Sequence, residues 1–109
     1  MSASLLILYP APKNAAEFDR AYREDHLPYA ASRLVGATSL TSKRVLGPGA
    51  NPVFWLVSDV NFPTAEALLT CALSKGGQQA LAHAASISTG GAPLVIAVVD
   101  EPSRLKAQS

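Results

Sequence analysis

The segment FDRAYREDHLP, residues 18–28, places three ring-bearing side chains on one face of a predicted helix. Phe18, Tyr22 and His26 follow one another at intervals of four residues, and residues at i and i+4 lie one above the other on an α-helix. Pro28 is expected to end the helix, because proline lacks an N–H and clashes with the carbonyl four residues earlier. His26 then lies in the last turn, among unpartnered carbonyls and at the negative end of the helix dipole. A histidine there can bind or move a proton, and a purely structural helix-ending histidine is the alternative.

The rest of the chain alternates between strand-like and helix-like patterns. Apolar, β-branched and aromatic runs predict strands, and an apolar stripe at helical spacing predicts a second helix that opens at Thr64 and stops at Gly76-Gly77. The predicted strands are residues 4–9, 37–46, 53–60 and 94–99, and the predicted helical segments are residues 15–26, 28–34, 65–75 and 78–86. The order β-α-β-β-α-β predicts an α+β, ferredoxin-like fold, in which a four-stranded antiparallel sheet carries its helices on one face.

The amino-acid composition limits the classes of protein to which the chain can belong. The 109 residues, 49% hydrophobic and 16% charged, predict one folded domain, residues 1–100, and a polar C-terminal tail, residues 101–109. A net charge of +1 without any basic run longer than two residues argues against nucleic-acid binding. The longest apolar strand is far too short to span a membrane. The single Cys71 cannot form an intrachain disulfide and no signal-peptide pattern opens the chain, so we expect a cytoplasmic protein.

The outer faces of the predicted sheet are unusually apolar. Residues 4–9 and 94–99 are apolar on both faces, and residues 53–60 nearly so, whereas the uncovered face of such a sheet is usually polar. A second copy of the chain is the simplest cover for that face. At about 25 cal/mol per Å² of buried apolar surface, pairing two such faces favours association strongly. We therefore expect a homodimer in which the two sheets face each other.

Several short motifs together resemble the EthD family, which is named for a protein of ethyl tert-butyl ether degradation and belongs to the dimeric α+β-barrel superfamily. The motifs keep the family's order along nearly the whole chain, and the Tyr-x-x-x-His-x-Pro spacing is the most specific of them. They are Leu8-Tyr9-Pro10, Phe18-Asp19 with Tyr22, His26-Leu27-Pro28, Phe62-Pro63-Thr64-Ala65-Glu66 and Gly90-Gly91. The resemblance implies a homodimer whose apposed sheets enclose a cavity, with Tyr22 and His26 at the family's motif positions.

The chain departs from this family in residues 82–89, AHAASIST. Many EthD proteins carry an acidic residue there, shortly before a late aromatic and the Gly-Gly pair. If that acid partners the histidine of the first helix, this chain lacks it. Relatives in the wider superfamily include cofactor-independent monooxygenases, lactone isomerases and haem enzymes, and a shared fold does not choose among these activities.

Five aromatic or titratable side chains are candidates for a site. His26 and Tyr22 form the predicted acid–base pair, because they lie one helical turn apart and their side chains can converge. We expect the helix dipole to raise the pKa of His26, with burial acting in the opposite direction. Tyr9, Phe18 and Trp55 are candidate substrate-binding residues, although Tyr9 and Trp55 could instead fill the core. Tyr22 could likewise be a core aromatic with a satisfied hydroxyl.

Two further residues are interpreted as structural. His83, among alanines, is expected to be a partly exposed structural histidine, and Cys71 a small core residue. Two histidines without a third ligand predict no metal site, and we expect no cofactor.

Two functions remain open. One is a cofactor-independent enzyme, an oxidoreductase or isomerase, that acts on an apolar organic molecule through His26. The other is a non-catalytic ligand-binding or accessory protein with the same cavity.

Overall fold

The computed structural model describes residues 1–105 and contains the predicted order of elements. The strands are β1 (Ala3–Pro10), β2 (Ser39–Arg44), β3 (Phe54–Phe62) and β4 (Leu94–Val99); the helices are α1 (Ala15–Arg20), α2 (Leu27–Ala31), α3 (Ala65–Leu73) and α4 (Lys75–Ile87). A π-helical segment, Ala21–His26, joins α1 to α2. The strands form one antiparallel sheet in the order β2-β3-β1-β4, which confirms the predicted α+β, ferredoxin-like fold.

Side chains cap the first turns of two helices by accepting hydrogen bonds from backbone N–H groups. The Asn14 side chain accepts a hydrogen bond from the Glu17 N–H at the start of α1, and Thr64 does the same for Ala67 at the start of α3. The predicted polar tail, residues 101–109, has no helix or strand as far as residue 105 and otherwise lies outside the described residues.

Pro28 stands in the first turn of α2, in agreement with the predicted helical segment 28–34. It does not interrupt the first helical stretch, however, which continues through it to Ala31. Proline is tolerated in the first turn of a helix, where its missing N–H is not needed. The preceding turn has also widened into a π-helix, so the regular i to i−4 ladder that proline would disrupt is already interrupted.

The pair Gly76-Gly77 does not stop the second helix either. It lies in the first turn of α4, and Ser74 separates the two helices by accepting a hydrogen bond from the Gly77 N–H. A Cβ atom on Gly77 would lie 1.9 Å from the carbonyl oxygen of Cys71. Glycine is therefore required by the close approach of α3 and α4, and not by a turn.

The helices cover one face of the sheet, and the core lies between them. Along β1, alternate residues from Ala3 to Tyr9 are buried against the helices, and Tyr9 is opposite Leu56 of β3. Cys71 belongs to this core, as predicted. The buried cluster consists of Ala3, Leu5, Ile7, Tyr9, Phe18, Tyr22, Leu56, Val60, Phe62, Leu68, Cys71 and Ala84.

The opposite face of the sheet is uncovered; it is apolar along β1 and β4, whereas Lys43 and Asp59 form an ion pair on it between β2 and β3. Leu6 is opposite Ile96, and Leu8 is opposite Leu94, so these four side chains share this face, which we call the open face. Ile96 is 38% exposed and Leu94 48% exposed. The apolar open face that the sequence predicts is therefore present along β1 and β4, and its β3 side is more polar than predicted.

Candidate functional site

Four rings pack together between the sheet and the first helical stretch. Phe18, Tyr22 and His26 lie on one helix face, as predicted, and are buried, with exposures of 2%, 2% and 6%. Tyr9 packs edge-on against each of them, with ring centroids 5.1, 5.7 and 6.5 Å away, an arrangement that aromatic pairs favour. The predicted acid–base pair is in contact, because the ring centroids of Tyr22 and His26 are 5.9 Å apart.

Tyr22 and His26 both belong to the π-helical segment. Its defining hydrogen bond runs from the N–H of Leu27 to the carbonyl of Tyr22, five residues earlier. Single π-helical turns are rare within α-helices and occur frequently at functional sites. The widened turn is therefore an independent reason to regard this face as the candidate site.

The two buried tyrosine hydroxyls differ in their hydrogen bonding. Tyr22 Oη lies 2.6 Å from Ser42 Oγ and 2.6 Å from Ser58 Oγ, so both neighbouring strands satisfy it. Tyr9 Oη has no hydrogen-bond partner among the described residues, although the residue is fully buried. Burial, with Tyr22 contributing, raises the pKa of Tyr9 above its usual range. The phenol therefore stays protonated, and a contact with Ser58, which falls short of a hydrogen bond, acts against the pKa shift.

His26 is hydrogen-bonded to the only other histidine of the chain. The two Nδ1 atoms are 2.8 Å apart. The ring planes differ by 8° and their centroids are 5.1 Å apart, so the rings meet edge to edge in nearly one plane, as an N–H···N hydrogen bond requires. His83 is partly exposed, as predicted, and the sequence did not predict its contact with His26: it lies in the segment that lacks the expected acid and is the hydrogen-bond partner of His26.

A stack of side chains fixes the ring of His83 in this orientation. The ring of Tyr29 stacks on His83 with centroids 4.4 Å apart, and the Arg33 guanidinium lies 3.6 Å from the centroid of Tyr29. Because both groups lie so close to the centre of the Tyr29 ring, the His83 ring and the Arg33 guanidinium must occupy its opposite faces. Arg33 is itself held by a 2.8 Å hydrogen bond to the carbonyl of Tyr29. His83 is half-buried, so the pair joins a buried imidazole to one that solvent reaches.

The pKa of His26 is lowered to about 4, first by burial and second by His83. The prediction that the dipole would raise it is therefore wrong. The helix does not end at His26, because α2 continues the chain to Ala31, and the carbonyls near His26 are not a free helix end. Burial determines the direction of the pKa shift instead, because it disfavours the charged form of the ring. At neutral pH His26 is an uncharged imidazole with one nitrogen bound to His83.

Two cavities with shared lining residues lie between the helices and the sheet, and the smaller one borders His26. A pocket of about 390 Å³ opens between α2 and β2, which is within the range of about 300–1,000 Å³ for small-molecule sites. A void of about 10 Å³ lies deeper, with His26 and Ser58 in its lining, and has room for about one water molecule. Leu34, Leu40 and Val60 line both cavities.

The position of His26 corrects the expected location of the cavity. His26 and Tyr22 lie on the helix-covered side of the sheet, and the open face lies on the other side. Two apposed open faces would enclose a space that these side chains do not reach. A cavity that includes His26 therefore lies within one chain, between sheet and helices.

Trp55 is placed by an irregularity of the sheet. The pairing shifts between Tyr9 and Pro10, which are opposite Leu56 and Phe54, so Trp55 is the extra residue of a β-bulge. Its Nε1 donates to Asp19 of α1 at 3.2 Å, and the Arg44 guanidinium lies 4.2 Å from its ring centroid. These contacts hold Trp55 at the edge of the helix layer. A role of Trp55, Tyr9 or Phe18 in substrate binding stays a prediction, since none of them lines either of the two cavities between the helices and the sheet.

Within residues 1–105, no group of three or more His, Cys, Asp or Glu side chains is close enough to hold a metal ion. None of the helices in that part of the chain is long and apolar enough to cross a membrane.

Neither a family model nor a curated protein sequence matches this chain. Solved structures do. An EthD family protein from Bacillus halodurans superposes with a TM-score of 0.80 and 20% identity, over 93% of this chain and 100% of that one. The two chains share one fold. The resemblance predicted from the sequence is thus confirmed at the level of the fold.

Two further structures show the range of proteins with this fold. A dimeric ferredoxin-like protein of unknown function from Jannaschia sp. has a TM-score of 0.65 and 17% identity, over 92% of this chain and 100% of that one. SnoaB, a cofactor-independent oxygenase from Streptomyces nogalater, has a TM-score of 0.62 and 13% identity, over 94% of this chain and 95% of that one. The fold therefore accommodates both dimers and catalysis without a cofactor.

Proposed function

We propose that this protein is an EthD-like, cytoplasmic homodimer that binds an apolar organic molecule and uses His26 as a cofactor-independent acid–base, in an oxidoreductase or isomerase reaction. The observation that carries the proposal is the state of His26. It is an uncharged, buried imidazole whose Nδ1 is held by His83 and whose ring borders a void next to an apolar pocket. A fixed neutral imidazole can accept a proton through its second nitrogen.

The pocket between α2 and β2 supports an apolar ligand. Its lining is aliphatic except for Thr38 and Ser39 at the β2 side. Among the described residues no charged side chain belongs to it, so it offers no partner for a phosphate or carboxylate. An apolar molecule with a carbonyl or hydroxyl group fits this lining, with the polar end directed at His26.

The homodimer rests on the open face. Leu6, Ile96 and their neighbours leave an apolar surface that a second copy would cover, and the Jannaschia structure with the same fold is described as dimeric. The helix-side cavity of each chain stays outside such an interface, so each copy would carry its own site.

One observation favours the second candidate, a binding protein without chemistry. His26 lines the small void and does not line the larger pocket, while Leu34, Leu40 and Val60 line both. A ligand held entirely within the larger pocket would therefore not touch His26.

The test uses 2-tetralone, an apolar ketone with an acidic C–H next to its carbonyl. In D₂O, the enzyme hypothesis predicts that His26 removes this proton to give the enolate and that a solvent deuteron replaces it, which NMR follows directly. Replacement of His26 by Gln should abolish the exchange and keep tetralone binding. Binding to the native protein without exchange would support the second candidate, and a native protein that does not bind tetralone would contradict both.

A matched pair of variants tests the pocket itself. The Leu40→Trp variant should fill the pocket and lower tetralone affinity. Leu46→Trp is the control, because Leu46 lies two residues after the end of β2 and is 92% exposed, so the same substitution there should leave binding unchanged. Equal affinities in the two variants would place the ligand elsewhere.

A further inference from the structure

We propose that His83 is a positioning residue that exchanges protons between solvent and His26, so that the positive charge of the acid–base step rests on His83 and not in the core. The inference deepens the proposed function of His26 as a base and rests on it. The ring-nitrogen states that it predicts can nevertheless be measured without any turnover.

The geometry of the pair allows one proton, and only one, between the rings. With Nδ1 atoms 2.8 Å apart in nearly coplanar rings, one Nδ1 donates and the other accepts. If His26 donates, its Nε2 carries the lone pair and is a base. If His83 donates, the uncharged His26 carries its proton on Nε2 and is an acid. The two roles exchange when Nε2 of one ring gains a proton, the bridging proton crosses between the Nδ1 atoms, and Nε2 of the other ring loses a proton.

The full cycle balances without any other group. His26 Nε2 takes the proton from the ligand, while the electron pair of the broken bond stays on the ligand. His26 then gives its Nδ1 proton to Nδ1 of His83, which becomes an imidazolium. His83 releases the proton on its own Nε2 to solvent. The pair ends uncharged, with His26 protonated on Nε2, and reprotonation of the ligand runs the same steps in reverse.

His83 holds a positive charge at lower free energy than His26 does. His26 is 6% exposed and is enclosed by Tyr9 of β1 and by Tyr22 of its own segment, neither of which is an anion at neutral pH. His83 is half-buried and lies over the ring of Tyr29, and a cation over an aromatic face is stabilised. Arg33, on the far side of that ring, is a like charge and opposes this stabilisation, but the Tyr29 ring lies between it and His83.

No carboxylate among residues 1–105 forms an ion pair with either histidine. The histidine pair therefore exchanges its proton with solvent and not with a neighbouring carboxylate. This follows from the segment around His83, which carries alanine and serine and no acidic residue. A base that must stay uncharged in the core can in this way act repeatedly at neutral pH.

The first measurement is the ¹⁵N NMR state of the His26 ring in the unliganded full chain. The native protein should show both neutral tautomers of His26 in exchange. His83→Phe keeps a ring against Tyr29 but has no nitrogen, and it should leave His26 in a single tautomer. A single tautomer in the native protein, unchanged in His83→Phe, would overturn the inference.

The second measurement is the pH profile of tetralone deuterium exchange, with tetralone affinity measured alongside. His83→Phe should lower the exchange rate by about tenfold or more with unchanged affinity. His83→Asp should raise the pKa of His26, because a carboxylate on Nδ1 stabilises the imidazolium, and should recover part of the rate. Unchanged exchange in His83→Phe would contradict the inference. Absence of exchange in the native protein, together with mixed His26 tautomers, would instead reject the proposed function and leave the proton pair established.

Discussion

The Nδ1 atoms of His26 and His83 are 2.8 Å apart, although 57 positions separate these residues in the chain. The contact exists because α4 packs closely against the π-helical segment. The residues of α4 that face inward are small: Gly77, Ala80 and Ala84 are its buried residues. Small side chains let two backbones approach, and they place the longer side chain of His83 beside His26.

The packing of α4 can be tested with two alanines. Ala84 is 1% exposed, so Ala84→Leu should push α4 outward, destabilise the protein by about 1–3 kcal/mol, and break the histidine pair. Thermal unfolding and the ¹⁵N signals of His26 measure the two effects. Ala82→Leu is the control, since Ala82 is exposed on the same helix. Equal unfolding temperatures for the two variants would contradict this account of the packing.

Acid should destabilise the protein through His26. Its pKa is about 4 in the folded protein, against an ordinary value of 6.5 for histidine, so between these values the unfolded chain binds a proton that the folded chain does not. Stability is therefore fully present above pH 6.5 and falls as pH decreases towards 4, by up to about 3 kcal/mol. Urea unfolding at several pH values should show this loss, and His26→Gln should reduce it.

The His83→Gln variant should show an acid-dependent loss of stability between that of the native protein and that of His26→Gln. It removes the repulsion from a second imidazole and leaves the burial of His26, the larger cause of its low pKa, in place. The acid-dependent loss of stability should therefore shrink without vanishing. A complete disappearance would mean that repulsion, and not burial, lowers the pKa of His26.

The two buried tyrosines should respond oppositely to loss of their hydroxyls. Tyr9→Phe removes a buried donor without a partner among the described residues and should raise the free energy of unfolding by about 1 kcal/mol. Tyr22→Phe leaves Ser42 and Ser58 without their shared partner and should lower it by about 1–2 kcal/mol. Chemical denaturation of both variants measures the difference. Destabilisation in Tyr9→Phe would show that its hydroxyl is bonded in solution.

The open face should control the oligomeric state. Light scattering should give twice the 11.3 kDa chain mass for the native protein and a single chain mass for the double variant Leu6→Lys, Ile96→Lys, because these two residues are adjacent across β1 and β4. Leu73→Lys is the control, since Leu73 is 80% exposed at the end of α3. A dimer that persists in the double variant would place the interface on another surface.

The element order, the apolar open face and the common face of Phe18, Tyr22 and His26 could all be predicted from the sequence. Each depends on residues close together in the chain, because strand and helix periodicity is a local property. The burial of Cys71 followed for the same reason, since it borders an apolar stripe of α3.

The tertiary structure alone decided what depends on distant contacts. The partner of His26 comes from another helix, and no local pattern marks His83 as that partner. The sign of the His26 pKa shift depends on burial depth, which spacing does not contain. The role of Gly77 depends on how closely the carbonyl of Cys71 approaches it. The side of the sheet on which His26 lies follows from the packing of the helices, because strand alternation defines two faces without saying which one they cover.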